Sequence, residues 1–345
     1  MRERRRRSRG DPRQEQVAVF LVVLVVAVGL AFDFTNGFHD TANYVATWVG
    51  TRALSPRLAV LVSAAANLAG AFVTTAVAKT VGSGLIDTGL ATEKTLLAAL
   101  FGAIVWNLLT WWAGLPSSST HALVGGLIGA ALVQSGSKGV EWTGIWQKVL
   151  LPGLASPVIG FVGAFLLLVL IYRLFHRLTP GTAHRGFRLG QLLSGTWVAF
   201  THGANDAQKT MGVIALALYT HGSISSFYIP TWVKIAAGLT IAMGTYAGGW
   251  RIIRTLGQRI YGLQPEHGFA AQIAAGATLW TGTHYGFPIS TTHVVTGSVM
   301  GAGATRRLSA VRWGVAGNIV FAWLLTLPAA GLVAAALYYP VRWLL

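Results

Sequence analysis

Two short polar phrases each occur twice, in the same order, in a chain otherwise dominated by apolar runs. Thr-Asn-Gly-Phe-His-Asp at 35–40 is echoed by Thr-His-Gly-Ala-Asn-Asp at 201–206. Pro-Ser-Ser-Ser-Thr-His at 116–121 is echoed by Pro-Ile-Ser-Thr-Thr-His at 288–293. The two offsets, 166 and 172 residues, are nearly equal, so both halves carry the same pair of devices. Duplicated polar signals at matching places in an apolar chain point to a transporter built from internal repeats.

Composition fixes the medium. The 345 residues are 53% hydrophobic and 10% charged, where a soluble protein carries roughly 25% charged residues. The runs 16–32, 58–78, 96–113, 149–172 and 313–339 approach or exceed the ~20 residues that cross a bilayer. Shorter runs at 121–133, 211–219 and 294–304 read as half-helices or re-entrant segments. The reading is an all-α, polytopic protein of the plasma membrane. Cysteine is absent, which excludes disulfides and thiolate metal sites. Seven of the 26 Lys and Arg residues lie within the first 13 positions. That tail reads as a solvated segment beside a membrane and not as a nucleic-acid patch. Neither a GxxxxGK[ST] phosphate loop nor an HExxH metal helix occurs.

The organisation follows as a tail (1–15), a first transmembrane repeat (16–172), a basic cytoplasmic linker (173–189) and a second repeat (190–345). Segments 16–50, 57–80 and 148–172 each cross once, and 96–134 reads as a re-entrant helical hairpin. Three crossings are an odd number, so the second repeat is expected to be inverted. The arginines of the linker favour the cytoplasmic side. The same count places the basic tail outside, against the positive-inside trend.

In residues 33–47, Asp33, Asn36, Asp40, Asn43 and Thr47 are spaced 3, 4, 3 and 4 apart, which is one stripe of a helix. Gly37 falls in mid-stripe, where a helix can break or be closely approached. Carboxylates within a membrane face a cavity, a cation or a basic partner. With Asn and Thr oxygens they suit Na⁺, and a protonatable Asp suits H⁺. In the echo, His202, Asp206 and Lys209 repeat the spacing, beside Asn205 and Gln208. Asn43 is replaced there by Lys209, which either pairs with a carboxylate or faces an anion, so the two sites need not be equivalent. The coupling-cation candidates are Asp40, Asp206, Asn36, Asn43 and Asn205.

The second phrase sets a proline and hydroxyl residues at the start of an apolar run, the signature of a helix N-terminus. Its unpaired N–H groups and partial positive charge bind oxyanions. Ser118, Ser119 and Thr120, with Ser290, Thr291 and Thr292, add hydroxyl donors. Capping accounts for one hydroxyl per helix, not three in a row twice. Two such ends meeting from opposite sides would surround a tetrahedral anion. His121 and His293 follow on the first turn, placed to orient the hairpin or to touch solute. Asn67 and Asn107 read as helix-packing groups.

At these residues the chain resembles the inorganic phosphate transporter (PiT) family, in its bacterial low-affinity form. GFHDTAN at 37–43 and GANDAQKT at 203–210 resemble its duplicated signature, and PSSSTH and PISTTH its hairpin tips. The resemblance spans about 16–338 and implies two inverted repeats, each with a broken helix and a re-entrant hairpin. It implies inward symport of phosphate with Na⁺ or H⁺ and an anion held at the hairpin tips. The reading of the residues then assigns phosphate to Ser118, Ser119, Thr120, Ser290, Thr291 and Thr292, with Gln208 and Lys209 as further contacts. No cofactor is expected beyond bound Na⁺ at Asp40 and Asp206. Phosphate as a divalent-metal complex, a homodimer, a sulfate carrier of the same fold and an intramembrane phosphate-ester enzyme remain alternatives at this point.

Overall fold

The computed structural model describes residues 12–254, 263–307, 309 and 311–345. The charged part of the tail, residues 1–11, lies outside the described residues. The described chain is helical, with one isolated β-bridge between Ile86 and Val140.

The first half contains α1 (Pro12–Asp40), α2 (Ala42–Gly50), α3 (Pro56–Gly70), α4 (Ala76–Ser83), α5 (Glu93–Ala113) and α6 (Ser119–Ser135). It closes with α7 (Trp142–Gly144), which passes through a π turn into α8 (Leu151–Leu174). The second half contains α9 (Pro180–Thr220), α10 (Thr231–Ala247), α11 (Trp250–Arg254), α12 (Pro265–His284), α13 (Thr291–Ala304) and α14 (Trp313–Leu344). The halves follow the same order, apart from α2 and α7, which have no separate counterpart. A long helix bears the first motif, an interrupted pair follows (α3/α4 and α10/α11), then a hairpin bears the second motif (α5/α6 and α12/α13), and a final long helix ends each half.

Four helical segments are long and apolar enough to cross a membrane: Glu15–Gly50, Glu93–Ala113, Trp142–Leu174 and Trp313–Leu344. Leu154, Val158 and Leu166 on α8, Met243 on α10, and Phe321, Leu324 and Leu332 on α14 point outward and are exposed. Apolar side chains on the rim and backbone bonds satisfied within helices are what a lipid solvent requires. The halves are interleaved. Helix α14 packs on α5 and α6, whereas α8 packs on α12 and α13, so each closing helix braces the other half's hairpin. Helix α10 likewise packs on α1, and α3 on α9.

Of the two roles open to Gly37, a break or a close approach, the structure shows the second. Helix α1 runs through Gly37 to Asp40, and Thr41 keeps helical angles (φ −48°, ψ −36°) before α2. A Cβ on Gly37 would come within 2.5 Å of the Ile241 carbonyl and 2.9 Å of the Thr245 nitrogen. The glycine therefore serves close approach of α10, and the interruptions fall instead between α3 and α4 and between α10 and α11. Within the basic segment 173–189, α8 ends at Leu174 and α9 begins at Pro180. Pro180 occupies the first turn of α9, which runs unbroken for 41 residues through the motif. Proline at that position costs the helix no hydrogen bond.

Both hairpins turn by the same chemistry. Gly114 and Gly286 adopt left-handed φ values of 67° and 71°, which glycine alone tolerates cheaply. The Leu115 and Phe287 N–H groups bond back to the carbonyls of Thr110 (2.9 Å) and Gly282 (2.8 Å). Proline follows in each, then a serine whose hydroxyl caps the next helix. Ser118 accepts from the His121 N–H at 3.1 Å and Ser290 from that of His293 at 3.3 Å.

Candidate functional site

The tips meet in the interior. Thr120 Oγ1 donates to the Ile289 carbonyl at 3.3 Å, and the His121 and His293 rings lie edge to face at 4.7 Å. Ser118, Ser119, Thr120, Ser290, Thr291 and Thr292 are all buried. Each tip therefore brings one capping serine and two further hydroxyls to a common place beside α1 and α9.

Those two hydroxyls reach the aspartates. Ser119 and Thr292 each place a hydroxyl 3.4 Å from Asp40 Oδ1, and Thr291 donates to Asp206 Oδ1 at 3.2 Å. Thus Asp40 receives one hydroxyl from its own half and one from the other. At Asp206 the other half's hydroxyl, Thr120, is reached through Lys209. The Lys209 ammonium lies 2.6 Å from Asp206 Oδ2 and also donates to Thr120 Oγ1. Asn43 ties to Thr292 Oγ1 at 3.0 Å in the corresponding way.

The rest of the stripe is equally matched. Asn36 donates to Asp206 Oδ2 at 3.2 Å, while its counterpart His202 sets Nε2 3.8 Å from Asp40 Oδ2 and 3.6 Å from Asp206 Oδ2. His39 Nδ1 meets Asp40 Oδ1 at 2.9 Å, and its Nε2 meets Thr110 Oγ1 at 3.2 Å. The counterpart Asn205 donates to Thr283 Oγ1 at 2.9 Å and to the Phe287 carbonyl at 3.1 Å, so it holds the second tip. Gln208 turns away from the hydroxyls. Its Oε1 accepts from the Ala78 N–H at 3.1 Å, which satisfies a donor in the buried first turn of α4, and its NH₂ donates to the Ala204 carbonyl. Gln208 is thus the one residue of the substrate set held on the backbone of another helix.

Asn67, taken as a packing group from sequence, proves to orient the centre of the site. Its Nδ2 faces Tyr44 Oη (3.1 Å), the Ser63 carbonyl (3.1 Å) and Thr245 Oγ1 (3.2 Å), which leaves Oδ1 toward His202 Nδ1 at 2.6 Å. An amide oxygen only accepts, so His202 Nδ1 carries the proton there. Nε2 is then either a bare lone pair or an N–H aimed between two carboxylates. One ligand atom each from Asp40, His202 and Asp206 lies within 4.8 Å of the others, and all three residues are buried. The Asn36 Oδ1 and His202 Nε2 atoms lack hydrogen-bond partners. An unsatisfied amide oxygen, and an imidazole nitrogen when it carries a lone pair, beside carboxylates deep in a helical bundle fit a cation. The sequence signal for His202 was its i, i+4 relation to Asp206. Asn67 had none beyond its place in α3.

His121 and His293 face away from this cluster. His293 stacks on Trp323 at 4.0 Å, and both rings border a cavity of about 280 Å³ with residues of α8 and α14. Trp323 Nε1 in turn donates to the Pro116 carbonyl at 3.0 Å. These histidines pin the tips together.

A polar, buried site between opposed helix starts, inside a lipid-facing bundle of two matched halves, is the arrangement of a membrane permease for a small charged solute. Comparison with known proteins agrees. The chain belongs to the phosphate transporter family, whose pattern matches residues 36–334. A probable low-affinity inorganic phosphate transporter of Mycobacterium tuberculosis is 49% identical over 93% of this chain and 77% of that protein. Proteins of the same description from Rhizobium meliloti and Bacillus subtilis are 49% and 39% identical, over 92% and 94% of this chain and 96% and 98% of theirs. A solved structure titled the sodium-dependent phosphate transporter superposes with a TM-score of 0.87 at 26% identity, covering 94% of this chain and all of that one. The chain is accordingly a multi-pass membrane protein and a transporter, and the enzyme reading falls away.

Proposed function

We propose that the chain imports inorganic phosphate by symport with a monovalent cation, through alternating access of two inverted repeats. The observation that carries this reading is the convergence of both hydroxyl-bearing helix starts on Asp40 and Asp206. Phosphate would sit at the tips, with donors from Ser119, Thr120, Thr291 and Thr292 and the N–H groups of two helix N-termini. The cation would sit beside it against Asp40, with Thr292 Oγ1, Asn43, Asn36 Oδ1 and His202 in reach. A cation next to the anion lowers the charge that must cross the low-dielectric layer. Oxygen donors suit Na⁺, and the solved relative is titled sodium-dependent. A second reading, a proton as the coupling ion, is favoured by His202 Nε2 facing two carboxylates at 3.8 and 3.6 Å. Uptake of labelled phosphate into proteoliposomes, with sodium and pH gradients imposed separately, tests both. One gradient drives accumulation above the external concentration; equilibration alone under both would refute symport.

On this reading the site disfavours sulfate. Asp40 and Asp206, when ionised, offer acceptors only. Phosphate brings an O–H at neutral pH that such a carboxylate can receive, and sulfate brings none. A site built to receive a substrate proton rejects the analogue that lacks it by large factors. A tenfold excess of sulfate is expected to slow phosphate uptake by less than about twofold. Inhibition equal to that by unlabelled phosphate would contradict the assignment of the carboxylates.

A further inference from the structure

Lys209 occupies a place that its counterpart in the other half leaves to something else. Asp40 and Asp206 are matched by sequence, by burial and by the hydroxyls that reach them, Ser119 for one and Thr291 for the other. Three residues on, Asn43 and Lys209 are matched too, and each ties to a hydroxyl of the opposite tip, Thr292 or Thr120. The tie is the same and the charge is not. The amide of Asn43 leaves Asp40 with imidazoles and no fixed cation as its nearest titratable neighbours, His39 at 2.9 Å and His202 at 3.8 Å. The ammonium of Lys209 lies directly on Asp206 Oδ2 at 2.6 Å. Lys209 is fully buried, so its charge cannot be relieved by solvent. Burying this pair is tolerable because both members are held by further bonds, Asp206 by Asn36 and Thr291, Lys209 by Thr120.

We infer that the Lys209 ammonium is a built-in cation: it stands permanently where a diffusible coupling cation would neutralise Asp206, so this chain uses one coupling cation fewer than a site with asparagine in that position. The inference rests on the symport reading above and names the residue that sets its stoichiometry. Lys209 also remains within reach of the anion at the tips through Thr120, so it supplies positive charge to phosphate without having to be loaded from outside.

The prediction is an exchange of residue for ion. In Lys209→Asn the second half acquires the first half's chemistry, and Asp206 then needs a diffusible cation. One added cation multiplies the limiting phosphate accumulation ratio by the cation's own gradient, so a tenfold gradient raises it about tenfold. The reciprocal variant, Asn43→Lys, sets an ammonium three residues after Asp40 and is expected to lower the ratio by the same factor. Both are read in proteoliposomes as the phosphate ratio at zero net flux, with imposed sodium and proton gradients. Wild-type ratios in Lys209→Asn and in Asn43→Lys would overturn the inference while leaving symport intact. Absence of both single variants from the membrane would overturn it as well, because lysine and asparagine-plus-ion must be interchangeable in this site. A wild-type protein indifferent to both gradients would sink the symport reading itself.

Discussion

Asp40→Asn leaves the protein in the membrane and lowers uphill phosphate uptake on the order of a thousandfold. The size follows from what the carboxylate would do. A cation 4 Å from a full negative charge gains about 4 kcal/mol at an effective dielectric of 20, which is on the order of a thousandfold in occupancy. Asparagine removes that charge and turns one acceptor oxygen into an NH₂ donor, so a bond that the hydroxyls or imidazole now donate there must be lost or reversed. Asp40 Oδ1 accepts from His39 at 2.9 Å and faces Ser119 and Thr292 hydroxyls at 3.4 Å, so the mismatch falls on both tips at once. The scaffold does not depend on the charge. His39 keeps Thr110 and Ser117, at 3.2 and 3.3 Å, and Thr292 keeps Asn43 at 3.0 Å. The measurement is the initial rate of gradient-driven uptake per unit of membrane-inserted protein. Accumulation within a few-fold of wild type would remove Asp40 from the cation site.

The polar stripe was legible in sequence because it is periodic and occurs twice. Asp33, Asn36, Asp40, Asn43 and Thr47 are all buried, on a face shared with α9, α12 and α13. The tips were legible because a proline followed by hydroxyls opens a helix whatever surrounds it. What sequence periodicity does not record is which helix a polar face meets. Gln208 lies beside Asp206 in the chain, yet its amide serves the backbone of α4. Asn67 stands alone in an apolar run, and only the crossing of α3 over α9 brings it to His202. The exchange of α8 and α14 between hairpins has no local signature either, since both helices are apolar all round and either hairpin could accept them. Sequence alone leaves Gly37 open to a break or a close approach, and the choice between these belongs to the neighbouring helix α10.

Gly203→Ala is expected to cost both folding yield and transport, and the effect originates outside the ion site. A Cβ on Gly203 would overlap the backbone of Asn67, lying 2.6 Å from its Cα and 2.7 Å from its carbonyl carbon. The opposing face is equally closed, since a Cβ on Gly70 would lie 2.8 Å from the Ala204 nitrogen. Helices α3 and α9 therefore cross with glycine on both sides and no flexible side chain between them. Small residues at such crossings let backbones approach in lipid, where packing and not hydrophobic expulsion holds helices together. A methyl group forced into this contact costs roughly 1–3 kcal/mol by overpacking alone. It also separates Asn67 Oδ1 from His202 Nδ1, now 2.6 Å apart. That bond fixes which ring nitrogen faces Asp40 and Asp206, so a displacement of α3 reaches the site as a turned imidazole. Uptake per folded molecule is expected to fall about tenfold or more, as for misplacement of groups that must be held in register. Gly186→Ala on the same helix, where nothing lies within 4 Å, supplies the control and should match wild type in both thermal stability and uptake. Equal melting temperature and equal uptake for Gly203→Ala would show that α3 yields freely, and the role given to the Asn67–His202 bond would go with it.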